Sequence, residues 1–236
     1  TISIMVIIFL PISSYLLVKN LNLDSRETQE DESLSKKKIK DWKRIEVLKD
    51  YRFYIICANM LAMPWIATGT FVYQSFILES KNWGDFVIAK SFMFYAVLSV
   101  ATLFISGPIV DKFTSRKILP LMNIPSMFAM LILFYFDNHF SSYFLLGLMG
   151  ISNGLANVLG SSTWAEIYGV KHIGSIKALT TSMMVFSTAF GTAIFGIIID
   201  LGYSIEVIAI ISFTYIIIAN FLIIIFRRNI KPVLIK

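Results

Sequence analysis

Between two long apolar runs the chain reads Gly107-Pro-Ile-Val-Asp111-Lys112-Phe-Thr-Ser-Arg116-Lys117, a glycine-proline pair followed by one carboxylate and three cations. A second polar break, Trp164-Ala-Glu166-Ile-Tyr168-Gly169-Val-Lys171-His172-Ile-Gly174-Ser-Ile-Lys177, supplies another carboxylate. Hydrogen bonds to ionised partners are about twice as strong as neutral ones. The chemistry on offer is therefore ion pairing, as of Asp111 with Arg116 or with a helix N-terminus. Gly107 and Pro108 are expected to let one helix end pack tightly on its neighbour. A second group of residues is uncharged. Thr70 and Gln74 stand one helical turn apart, as do Asn153 and Asn157, and Asn59 and Tyr73 lie on the first of these two segments. An i, i+4 pair shares one helix face, so each pair suits hydrogen bonding to a solute or to a neighbouring helix.

Covalent and metal chemistry find no such footing. Cys57 stands alone, which excludes a disulfide framework and a cysteine-based metal site. His139 and His172 fall in separate loops, without an HExxH partner or a carboxylate at ligand spacing. There is no Gly-x-x-x-x-Gly-Lys phosphate loop, and Gly160-Ser161-Ser162-Thr163 lacks the second glycine of a nucleophile elbow. The expectation is no enzyme, no cofactor and no bound metal.

These residues must be positioned by elements that are mostly hydrocarbon. Of 236 residues, 56% are hydrophobic and 15% charged, against roughly 25% charged in soluble domains. Mean hydropathy is +0.72. Apolar runs of about 18 residues or more read as transmembrane helices, and they fall near 2–18, 53–78, 87–110, 118–136, 143–165, 178–200 and 206–226. The fold class is thus an all-α membrane protein, a polytopic helical bundle. Pro64 and Pro125 are candidate kinks. Gly147, Gly150 and Gly154, with Gly191 and Gly196, read as close-packing or bending positions.

Lysine and arginine orient the bundle. The breaks at 19–52, 111–117 and 166–177 and the tail 227–236 hold 10, 3, 2 and 4 of the 21. Only Lys81 and Lys90 lie on the other side, where Lys81 neighbours Glu79 and Asp85 in sequence. The positive-inside rule puts the cation-rich side in the cytoplasm, with the first residue outside and the last inside. Within 19–52 the front is acidic. The back, from Lys36 to Leu48, has apolar residues at 39, 42, 45 and 48, which suggests a basic amphipathic helix on the membrane face and no nucleic-acid partner.

One helix, a long basic loop and six further helices resemble the second half of a major facilitator superfamily transporter. The stretch from Gly107 to Lys117 resembles that superfamily's short cytoplasmic motif, and it joins the second and third helices after the connector, as in the family. Thr114 stands where the family usually has a second glycine. The segment from Trp164 to Lys177 is similar to the turn between the fourth and fifth helices of a half. Gly69-Thr-Phe71-Val-Tyr73-Gln74 before Glu79-Ser-Lys81-Asn-Trp83-Gly84 resembles prokaryotic, monocarboxylate-porter-like members.

The resemblance implies residues 1–18 as the last helix of an N-terminal half missing from this chain, 19–52 as the inter-half loop, 53–226 as the six-helix bundle and 227–236 as a basic tail. It implies a multi-pass protein of the inner membrane that moves a small organic solute, a monocarboxylate among the candidates, by alternating access. Asn59, Thr70, Tyr73, Gln74, Asn153 and Asn157 are then the residues expected along the solute path. Gly107, Asp111, Lys112, Arg116, Lys117 and Glu166 form the gate motif that latches the cytoplasmic side shut. A membrane sensor or scaffold on the same bundle, without transport, is the other reading the composition allows.

Overall fold

The computed structural model describes residues 39–233. Their apolar runs wind into helices because a chain in lipid must satisfy its own backbone polar groups. A single turn, α1 (Arg44–Leu48), precedes α2 (Tyr51–Met60), α3 (Ala62–Val72) and α4 (Gln74–Ser80). The long α5 (Asp85–Phe113) leads through α6 (Ser115–Ile118) and a 3-10 turn at Leu119–Leu121 into α7 (Ile124–Tyr135). Then come α8 (His139–Tyr168), α9 (Ile173–Asp200) and α10 (Ile205–Phe226). Six stretches among the described residues are long and apolar enough to cross a membrane: Tyr51–Val72, Phe86–Phe113, Ser115–Tyr135, His139–Tyr168, Ile173–Asp200 and Ile205–Phe226. They are spans I to VI, and each overlies one of the runs expected from hydropathy. The run at 2–18 and the acidic part of the loop lie outside the described residues.

Span I breaks at Leu61, between α2 and α3. Pro64 has no N–H to give the Met60 carbonyl and its ring crowds that turn. Neighbouring spans supply donors around the break. Tyr215 donates its hydroxyl to the Ala58 carbonyl (2.8 Å), Asn123 its Nδ2 to the Asn59 carbonyl (2.7 Å) and Ser187 its hydroxyl to the Leu61 carbonyl (2.9 Å). Spans VI, III and V thus hold the kink. Pro125 does something different, sitting in the first turn of α7 where a missing N–H costs nothing.

Span II packs along span IV, span I along span V, and span III against spans IV and VI. Glycines set two of these seams. A Cβ on Gly150 would lie 2.5 Å from the Tyr95 carbonyl oxygen, and one on Gly154 2.6 Å from that of Ser99. On the other seam a Cβ on Gly191 would strike the Trp65 carbonyl. Exchanging spans I–III with IV–VI maps the pairs I·V and II·IV onto each other and III·VI onto itself, the pattern of an internal three-helix repeat.

Two local expectations are corrected. Among the described residues, Gly107 and Pro108 do not end a helix or tighten a contact. Helix α5 continues to Phe113, and a Cβ on Gly107 would meet nothing within 4 Å. Ser106 and Val110 form the buried face of this turn, so Gly107 and Pro108 are rotated away from it. The basic stretch is the second case. Its described part is not one amphipathic helix but an extended segment followed by the single turn α1. Lys40 N–H donates to the Val233 carbonyl (2.8 Å) and Trp42 N–H to that of Tyr168 (3.0 Å). Those donors are taken by distant chain, Val47 is buried, and Ile45 is exposed.

Candidate functional site

The cation-rich end of the bundle is tied together by two carboxylates. Chain reversal at Thr114 (φ +70°) starts α6, whose Ser115 hydroxyl and Arg116 Nε both donate to the Glu166 carboxylate. Arg116 Nη1 also reaches the Ile230 carbonyl at 3.2 Å. Glu166 pairs with Arg116, as the family resemblance implied, and the pair joins spans III and IV to the tail. Asp111 does not join them. It is exposed on the last turn of α5 with no side-chain hydrogen bond or ion pair among the described residues; Lys117, exposed on α6, has none either, and Lys112 lies over the Phe113 ring at 5.6 Å.

Asp50 is the second carboxylate. It caps α2 through the Arg52 N–H (3.0 Å), binds Arg52 Nε at 2.8 Å and accepts from the Tyr168 hydroxyl at 3.0 Å. Arg52 Nη1 then donates to the Lys231 carbonyl at 2.7 Å, and its guanidinium lies 5.3 Å from the Trp42 ring. Sequence reasoning missed this cluster. An aspartate just before an apolar run is an N-cap signal, but its link to Tyr168 spans half of the chain. In α1, the Lys43 N–H and the Lys40 ammonium hold Glu46 below the usual carboxylate range.

The opposite end carries one buried cation. Lys81 Nζ is 2.6 Å from Asp137 and 2.7 Å from Glu206, and its side chain is 1% exposed. Burial alone would lower the lysine pKa, but the two carboxylates more than offset it and hold it above the ordinary value. Its partners are thus not the neighbouring Glu79 but residues of two distant turns, so this link draws spans I, III and VI together.

Between these ends, about halfway along the spans, a groove of about 290 Å³ opens between spans I, IV and V. Asn153 and Asn157 of span IV line it opposite Thr68 and Pro64 of span I and Thr180 and Thr188 of span V. The kink at Leu61 forms part of its wall. Helical spacing put the two asparagines on one face, and the structure brings them to one cavity.

The other expected path residues are elsewhere. Thr70 and Gln74 share a separate cavity of about 10 Å³ beside Trp83 and Ser142, room for about one water and not for a solute. Asn59 is fully buried and donates Nδ2 to Asn220 Oδ1 at 2.7 Å, which makes it a helix-to-helix contact. Tyr73 stacks on Phe195 at 6.2 Å with its hydroxyl against Gly196. Asn220 of span VI takes up the Asn59 amide, and the Thr70 hydroxyl is buried without a partner among the described residues, placements that hydropathy along one helix does not reveal. Thr68, Thr180 and Thr188 are the groove residues that reasoning from amides alone passed over.

Among the described residues no group of three or more His, Cys, Asp or Glu could hold a metal ion. The family model of the Major Facilitator Superfamily matches residues 3–234. No individual curated protein matches. Six membrane-crossing helices with an uncharged groove among them, and a family match over nearly the whole chain, place this protein in the Major Facilitator Superfamily: it is an integral, multi-pass membrane transporter and not an enzyme.

Proposed function

We propose that the groove between spans I, IV and V is this chain's share of the path for a small organic solute, moved by alternating access against a second six-helix half. The observation that carries this reading is the pair Asn153 and Asn157, polar amides facing an open cavity inside a hydrocarbon-rich bundle. Intramembrane polar groups are costly and face either partners or a water-filled path. Asn157 is exposed to the groove rather than used up between helices.

The Arg116–Glu166 pair, with Ser115, is the part of the gate motif that we assign to holding the cation-rich end shut. That end faces the cytoplasm of a prokaryotic inner membrane in this reading, and residues 19–52 form the loop between the two halves. A monocarboxylate, suggested by the resemblance, finds no cation among the described residues lining the groove.

Replacing Asn157→Leu tests the path. It removes a polar group from a membrane helix, so insertion and folding are expected to persist. Uptake of the transported solute is expected to fall at least about tenfold, the loss of roughly one good polar contact. Unchanged uptake kinetics would remove Asn157 from the path.

A further inference from the structure

We infer that the groove accepts an apolar organic molecule bearing an amino group and discriminates against the matching carboxylate. This rests on the groove being the solute path, and it comes from counting which polar atoms remain open there. Asn157 donates its Nδ2 to the Asn153 carbonyl at 2.9 Å. A carbonyl can only accept, so this bond fixes the amide orientation and leaves Asn157 Oδ1 without a protein partner among the described residues. Asn153 gives its Nδ2 to the Ser99 hydroxyl at 3.0 Å, and in that orientation its oxygen has no protein partner among the described residues. Thr180 donates its hydroxyl to the Lys177 carbonyl at 3.0 Å and Thr188 to that of Val185 at 2.7 Å, so both present lone pairs only.

The rest of the lining has the same electronic sense. Met60 and Met184 offer polarisable thioethers, and Phe71 offers an aromatic ring, whose face attracts cations. The donors still open are the Thr68 hydroxyl, the Trp164 indole N–H and second amide hydrogens. No Asp, Glu, Lys, Arg or His lines the groove, and the Cys57 thiol is its one titratable group among the described residues. A carboxylate entering here would lose its water and gain no cation, a costly transfer. An ammonium would meet several oxygens already stripped of competing donors.

A cysteine at Gly160 reads the occupancy directly. Gly160 lines the groove, and a Cβ there meets nothing within 4 Å. Changing Cys57→Ser leaves this chain with no other thiol. Membranes carrying Cys57→Ser/Gly160→Cys would be alkylated with N-ethylmaleimide in the presence of 2-phenylethylamine, 2-phenylethanol or 3-phenylpropionate. The amine is expected to protect at a concentration at least about tenfold lower than the carboxylate, the ratio expected for one hydrogen bond involving a charged group. The alcohol should fall between them. Adding Asn157→Leu should draw the amine and carboxylate values together, because it removes the fixed acceptor and keeps the apolar body's contacts. Equal protection by amine and carboxylate, or better protection by the carboxylate, overturns the inference and leaves the groove as a path. Protection by none of the three, up to their solubility, overturns both.

Discussion

Thr114 is a β-branched residue held at φ +70° and ψ 142°, a setting that L side chains reach at a cost of about 1–3 kcal/mol. Its hydroxyl is also buried without a partner among the described residues. Both facts point the same way for Thr114→Gly, which removes the strained Cβ and the orphaned oxygen together. The variant is expected to be more stable by about 1 kcal/mol, read as a higher unfolding midpoint in detergent. An equal or lower midpoint would show that the turn is unstrained. This position was legible beforehand as the place where related motifs carry glycine, and its backbone agrees. Asp111 was not legible. Closeness in sequence suggested Arg116 as its partner, but the reversal at Thr114 leaves Asp111 on the exposed end of α5 and sends Arg116 to Glu166. Ion pairs chosen by spacing fail where a turn intervenes, because a single positive φ redirects every later side chain.

At the scale of elements, hydropathy located all six described spans because lipid imposes a minimum apolar length that no packing detail can hide. Pro64 likewise announced a break in span I. What it could not announce is the set of donors that meet the broken turn, since Tyr215, Asn123 and Ser187 come from three other spans. Their contribution depends on the break, and that dependence can be measured. Tyr215→Phe removes only the hydroxyl and is expected to cost about 1 kcal/mol. In a Pro64→Ala background span I regains the N–H at position 64 and straightens, which draws its carbonyls away from the Tyr215 hydroxyl. The same Tyr215→Phe change should then cost measurably less. A double-mutant cycle on unfolding midpoints gives the coupling directly. Equal costs in both backgrounds would mean that the hydroxyl bond is independent of the kink, and that span I is bent by packing alone.

For the whole molecule, the number of spans and their alternating direction follow from the apolar runs, but the pairing of spans does not. That pairing rests on where Gly150, Gly154 and Gly191 allow backbones to touch, a matter of facing surfaces rather than of one helix. Orientation in the membrane is set by still longer-range physics. Arg52, Lys112, Arg116, Lys117, Lys171, Lys177, Arg227, Arg228 and Lys231 gather at one end of the described bundle. The other end has Lys81 locked between Asp137 and Glu206. Its ammonium is neutralised within the fold, which leaves the two ends more unequal in charge than a count of lysines suggests. The positive-inside rule then predicts the cation-rich end in the cytoplasm. Ser175 and Ser204 report on the two ends, being small, exposed and placed in the first turn of α9 and immediately before α10. With Cys57→Ser as background, Ser204→Cys should react with a membrane-impermeant maleimide in intact cells. Ser175→Cys should react only after the membrane is permeabilised. The reverse pattern would invert the bundle and detach the Arg116–Glu166 pair from any role as a cytoplasmic latch.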